Sequence, residues 1–167
     1  MFKLLAVAMA LALTVSTTHA QSASFVSYGS TCNAMALSVT GLPKLGTSFT
    51  VSGIAFPSVC TRKSCNCIVG PCNDCRGAVL FLGLGKLNVP LPGGCPLLVT
   101  PDLFFTASFP GKLTFPVPND RTLLGTKFHM QRLDLMLKEY ITSSCGNSYR
   151  PLTFVGTSNG VTGTIGL

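Results

Sequence analysis

Short runs rich in Val, Phe, Thr and Leu alternate with Gly, Pro, Asn and Ser along the chain, and beyond the first twenty residues no stretch sustains a helical apolar period over three turns. This pattern excludes helical bundles and predicts an all-β domain. Candidate strands are 34–40, 47–55, 78–83, 96–100, 104–109, 112–115, 126–137, 152–155 and 161–165. About nine strands suit an antiparallel β-sandwich of two layers. Phe49 and Val51 alternate with Ser48, Thr50 and Ser52, which predicts a half-exposed strand with Phe49 in the core. Leu80, Phe81, Leu82 and Leu84 are nearly continuous and belong in the middle of a sheet. In the longest run, Phe128 and Met130 share one parity while Leu133, Leu135 and Leu137 share the other. One face cannot bury both sets without an inserted residue, so a β-bulge or bend is expected near Gln131 and Arg132, with a short helix over 131–140 as the competing reading. Pro90, Pro92, Gly93 and Gly94 predict a stiff loop, as does the run from Pro116 to Asp120. Ser158, Asn159 and Gly160 predict a tight hairpin turn with positive φ.

The first twenty residues have the grammar of an export signal: Lys3, an apolar run from Leu4 to Val15, and the small residue Ala20 at the expected cut. The run is shorter than the roughly 20 apolar residues a span requires, so cleavage is expected in preference to an uncleaved anchor. Nothing downstream is long and apolar enough to span a membrane. Residues 1–20 are thus read as a signal peptide and 21–167 as one secreted, extracellular domain. A domain of that size buries about 68–70% of its unfolded surface and needs no staples to build a core. Loss of Lys3 with the leader takes the formal charge from +7 to +6. The basic residues are scattered and Trp is absent, so neither a phosphate-tracking stripe nor a base-stacking platform is present, and nucleic acid is excluded as the expected partner. A basic surface of this kind suits anionic glycans or cell-envelope polymers.

Five of the eight cysteines, Cys60, Cys65, Cys67, Cys72 and Cys75, crowd into a basic, polar insert at 60–76. Cys65 and Cys67 with Cys72 and Cys75 have a spacing that would hold zinc inside a cell. An oxidising compartment favours cross-links, so the expectation is a disulfide-stapled insert loop and no metal. Eight cysteines permit 105 pairings, and the spacing does not choose among them.

Gly41-Leu42-Pro43 with Leu45-Gly46-Thr47 and Phe49, Leu80-Phe81-Leu82-Gly83, and Pro90-Leu91-Pro92-Gly93-Gly94-Cys95 followed by Leu97-Leu98-Val99 and Pro101-Asp102 form a recognisable series. Pro118-Asn119-Asp120 with Leu123-Leu124-Gly125-Thr126 and Phe128, then Gln131 and Asp134, and Ser158-Asn159-Gly160-Val161 with Thr164-Ile165-Gly166 continue it. This series resembles an uncharacterised family of secreted bacterial β-rich modules over most of the chain outside the insert. The resemblance implies an extracellular β-sandwich and carries over no catalytic residue. Cys32 and Cys95 fall in the family-like part and are expected to pair. Cys145 would then join the five cysteines of the insert in three further bridges.

No catalytic constellation is expected. After the leader His129 is the one histidine, strand parity places it opposite Phe128 and Met130 and facing solvent, and Asp134 could orient it only across a bend. Carboxylates are few, and no pair is marked for glycoside hydrolysis. Asp102 and Asp120 follow prolines, where capping of backbone amides is expected over calcium binding. The chain is therefore read as a non-enzymatic, cofactor-free module for adhesion to a cell-surface or glycan ligand. Candidate binding residues are Arg62, Lys63 and Arg76 on the insert and Tyr149 with Arg150 near Cys145; Tyr28 and Tyr140 are further aromatic platforms. The alternative is a structural subunit of an extracellular coat or fibre, a homo-oligomer assembled through sheet edges or through segment 21–30, whose Phe25, Val26 and Tyr28 could complete a neighbour's sheet.

Overall fold

A computed structural model describes residues 21–53, 61–62, 70–106, 111–141, 148–149 and 152–167. The described chain is all-β and antiparallel, and each of the nine strands expected from sequence is present. In chain order they are β1 (Ser24–Tyr28), β2 (Ser38–Thr40), β3 (Ser48–Ser52), β4 (Thr61–Arg62), β5 (Gly70–Gly83), β6 (Lys86–Pro90), β7 (Pro96–Val99), β8 (Leu103–Phe105), β9 (Lys112–Pro116), β10 (Lys127–Ile141), β11 (Ser148–Tyr149), β12 (Leu152–Thr157) and β13 (Gly160–Thr164). Short β1, β4, β6 and β11 were not anticipated, because too few residues alternate in them to give a signal.

The large sheet runs β1-β13-β10-β5-β4, with β8 also on β5 and β11 and β12 also on β10. A second sheet, β2-β3-β9, packs over one of its faces. Phe49 and Val51 of β3 point inward as the alternation requires, while Thr50 meets Thr114 on the outside through a 3.1 Å hydroxyl contact. Between the layers, Phe105, Phe115, Phe49, Phe128 and Phe25 form a chain of ring contacts with centroids 5.1–6.2 Å apart. This aromatic spine crosses the sandwich from β8 to β1, which are edge strands among the described residues. Gly163 makes room for it: a Cβ there would strike the Phe128 ring.

The opposite face of the large sheet is covered too. The hairpin β6–β7 turns back over it and packs on β10 and β5, with Leu98 and Val99 buried. This third layer resolves the parity conflict at Phe128, Met130 and Leu133: the first two enter the sandwich core and Leu133 is buried on the outer face opposite Val79, with no inserted residue in β10 between them. The bulge lies on the partner strand. Met130 pairs with Val161 and Leu133 with Thr157, so Gln131 and Arg132 face three residues, Ser158 to Gly160. Those residues are therefore not the expected hairpin turn. β12 runs on into β13 along one edge of β10, neither Asn159 nor Gly160 has positive φ, and the Asn159 Oδ1 accepts the buried Leu37 N–H at 2.9 Å. A helix over 131–140 is likewise replaced by strand.

Cys32 and Cys95 are bonded, with Cα atoms 5.4 Å apart, and tie the start of the chain to the covering hairpin. The insert is not simply a loop: Thr61 and Arg62 form β4, and Gly70 onward belongs to β5. Cys75 pairs in register with Leu137, and Cys72 is the extra residue where the β5–β10 register shifts. Cys60, Cys65, Cys67 and Cys145 lie outside the described residues. Pro90 is the last residue of β6, paired with Pro96, so the stiff loop begins one residue later than expected.

Candidate functional site

Register places Arg62 opposite Asn73, Arg76 opposite Met136, and Tyr149 opposite Tyr140. These backbones share one end of the large sheet, but β4 and β11 flank the β5–β10 pair, so Arg62 and Tyr149 are about 14 Å apart by strand spacing. Lys63 and Arg150 lie outside the described residues. Among the described residues no group of three His, Cys, Asp or Glu side chains converges. The Asp120 Oδ1 caps Thr122 N at 2.9 Å, as turn chemistry predicts, whereas the Asp102 Oδ2 accepts from the distant Leu84 N at 2.8 Å and from the Thr100 hydroxyl at 3.0 Å.

His129 is not solvent-facing. Strand parity correctly puts it opposite Phe128, but that outer face is covered, and the side chain is only 7% exposed. Its Nδ1 lies 2.9 Å from the Thr162 Oγ1, and its ring meets the edge or face of Tyr28 at 6.0 Å. Asp134 cannot orient it: the two fall on opposite faces of an unbent strand, and Asp134 is held by Arg132, whose Nε lies 2.8 Å from Oδ1 and whose Nη2 donates to Oδ2 at 3.1 Å.

Around His129 the outer face carries two cross-strand rows. Val26, Thr162 and His129 form one, and Ser24, Thr164 and Lys127 form the next. Tyr28 continues the series on β1, opposite Gly160, where a Cβ would collide with its ring. The absence of that Cβ lets the ring lie against the sheet, and the Tyr28 hydroxyl donates to the Leu98 carbonyl at 3.2 Å. The Lys86 Nζ sits over the same ring, 4.1 Å from its centroid. Lys127 and Val26 are exposed, while Thr162, Thr164 and Ser24 are half-buried. The result is a sheet surface of hydroxyls and one aromatic ring, bordered by two ammonium groups.

Its electrostatics follow from that border. Burial, then Lys86 and Lys127, hold the His129 imidazole below its ordinary value, and burial pushes the Tyr28 phenol up to about 12. Both groups are therefore neutral at neutral pH and act as hydrogen-bonding surfaces between fixed positive charges. An array of this composition can accept a polyhydroxylated, negatively charged ligand. Tyr28 was among the sequence candidates, while Lys86, Lys127 and Thr162 were missed, because only the ladder β1-β13-β10 and the fold-back of β6 bring them together. Compared with family models, curated proteins and solved structures, the chain matches none.

Proposed function

We propose that this chain is a secreted, disulfide-stabilised, non-enzymatic module of the β-rich family it resembles, and that it binds an anionic glycan or cell-envelope polymer. The observation that carries this reading is the hydroxyl-lined outer face of β1-β13-β10, with the Tyr28 ring beneath Lys86 and with Lys127 at the end of the adjoining row. Sugar hydroxyls exchange hydrogen bonds with the serine and threonine hydroxyls of these rows, and carboxylate or sulfate groups pair with ammonium groups. The alternative role, a coat or fibre subunit donating its N-terminal segment, has less support: β1 is already paired along its length with β13 of its own chain.

Titration against sulfated, uronic-acid and neutral oligosaccharides tests the proposal. The anionic sugars should bind, more weakly as salt rises, and the double variant Lys86→Ala, Lys127→Ala should bind about tenfold or more weakly. Absence of binding to any of these sugars, or binding indifferent to both lysines, would refute it.

A further inference from the structure

Where β5 turns into the covering hairpin, the fold presents large apolar side chains to solvent. Leu84 is 70% exposed, Leu103 54% and Phe104 72%. They lie at one end of the sheet: Leu103 pairs in register with Leu82, the residue before it, Asp102, holds the Leu84 N–H, and Leu103 and Phe104, successive in β8, project from the two faces of that edge. The corner is braced. Thr100 N donates to the Gly85 carbonyl and Gly85 N to the Thr100 Oγ1, both at 3.0 Å, and the Thr100 hydroxyl reaches the Asp102 carboxylate. The exposed side chains are thus carried on a fixed corner, and β8, which bears two of them, is an edge strand among the described residues.

Two magnitudes select the occupant. Each large side chain offers at most about 150–250 Å², so the three together offer less than the roughly 800 Å² that each partner contributes to a stable protein interface. A bilayer makes no such demand, since a few inserted side chains act together with diffuse charge attraction. The charge has the right sign. Lys86 follows Leu84 by two residues, Lys127 lies two residues beyond the His129–Gly83 pair, and the neighbouring carboxylate of Asp102 is engaged within the corner. The chain's net charge of +7 opposes a second copy and favours a negative surface. We infer that Leu84, Leu103 and Phe104 form an apolar tip that seats the protein on an anionic lipid surface, with Lys86 and Lys127 above the headgroups. This does not rest on the glycan reading, although the two share the lysines.

The chain contains no Trp, so Phe104→Trp is a unique reporter at the tip. With vesicles of phosphatidylcholine and phosphatidylglycerol, its emission should shift to the blue and be quenched by brominated acyl chains; phosphatidylcholine alone should have little effect. The unlabelled protein should co-sediment with the mixed vesicles, and the double variant Leu84→Ser, Phe104→Ser should partition about tenfold or more weakly. Its affinity for a soluble sulfated oligosaccharide should stay unchanged, which separates this site from the glycan face. An unshifted Trp, failure to sediment, or equal partitioning of the double variant would overturn the inference. So would concentration-dependent self-association abolished by the same two substitutions, which would make a second copy the occupant.

Discussion

The two faces of strand β10 are buried by different chemistry. Toward the sandwich, Phe128 and Met130 join an aromatic and aliphatic core whose cohesion is non-directional and proportional to area. On the outer face, Gln131 is fully buried and acts as a clamp: its Oε1 accepts from Leu98 N at 2.8 Å, and its Nε2 donates to the carbonyls of Pro96 and Ser158, each at 3.0 Å. The covering hairpin is held there by that amide, by the Tyr28 hydroxyl and by the Cys32–Cys95 bridge. The lesson is that an apolar face tolerates approximate packing, whereas a polar-clamped layer is positioned by a few directional bonds, each costly to leave unmade.

The sharpest way to break the sandwich side is Phe49→Ala. Phe49 touches Phe25, Phe115 and Phe128, so its removal interrupts the aromatic spine at its centre. Denaturant unfolding should show a loss of about 3–5 kcal/mol. Next, replacing Cys32 and Cys95 together by Ala should cost about 2–4 kcal/mol, because the bridge closes a long loop. If the two layers are distinct, hydrogen exchange should accelerate at Leu98 and Val99 before it does at Val51.

Gln131→Met keeps the volume but strands the Leu98 N–H and two carbonyls, and should cost about 1–3 kcal/mol. A smaller loss would mean that water replaces the amide and that the clamp is weaker than its geometry suggests. The smallest effect is on pH dependence. His129 titrates below its ordinary value of 6.5 in the folded chain, chiefly through burial and then through Lys86 and Lys127. The folded state therefore binds this proton less readily than the unfolded chain does. Stability is fully present above 6.5 and declines as pH falls through 6.5 toward the lowered folded value. His129→Gln should flatten that part of the profile in thermal melts across mildly acidic pH, and an unchanged slope would assign the proton elsewhere.

Much of the fold was legible because its signals are local. Alternation in β3 named Phe49 and Val51 as core, and Asp120 caps its own turn as its neighbours foretold, whereas Asp102 reaches across to Leu84 N. The candidate site was less legible. Parity places His129 on the correct face of β10, yet its burial involves the Tyr28 ring of β1, about a hundred residues earlier in the chain. Asn159-Gly160 had the composition of a turn, but the Asn159 Oδ1 is taken by the distant Leu37 N, and the chain passes through a bulge into β13 without reversing.

The amino-acid order by itself determined strand positions, the apolar parity of each, and the antiparallel sandwich class, since these follow from period-two patterning and turn chemistry within a few residues. Tertiary structure alone decided that a third layer covers the second face, that the bulge sits on β12–β13 instead of β10, and that Tyr28, Lys86, Lys127, His129 and Thr162 share one surface. The physical reason is that alternation records that a residue is buried but not what buries it. That partner is chosen by long-range pairing, where a single hydrogen-bonded amide or disulfide outweighs local preference.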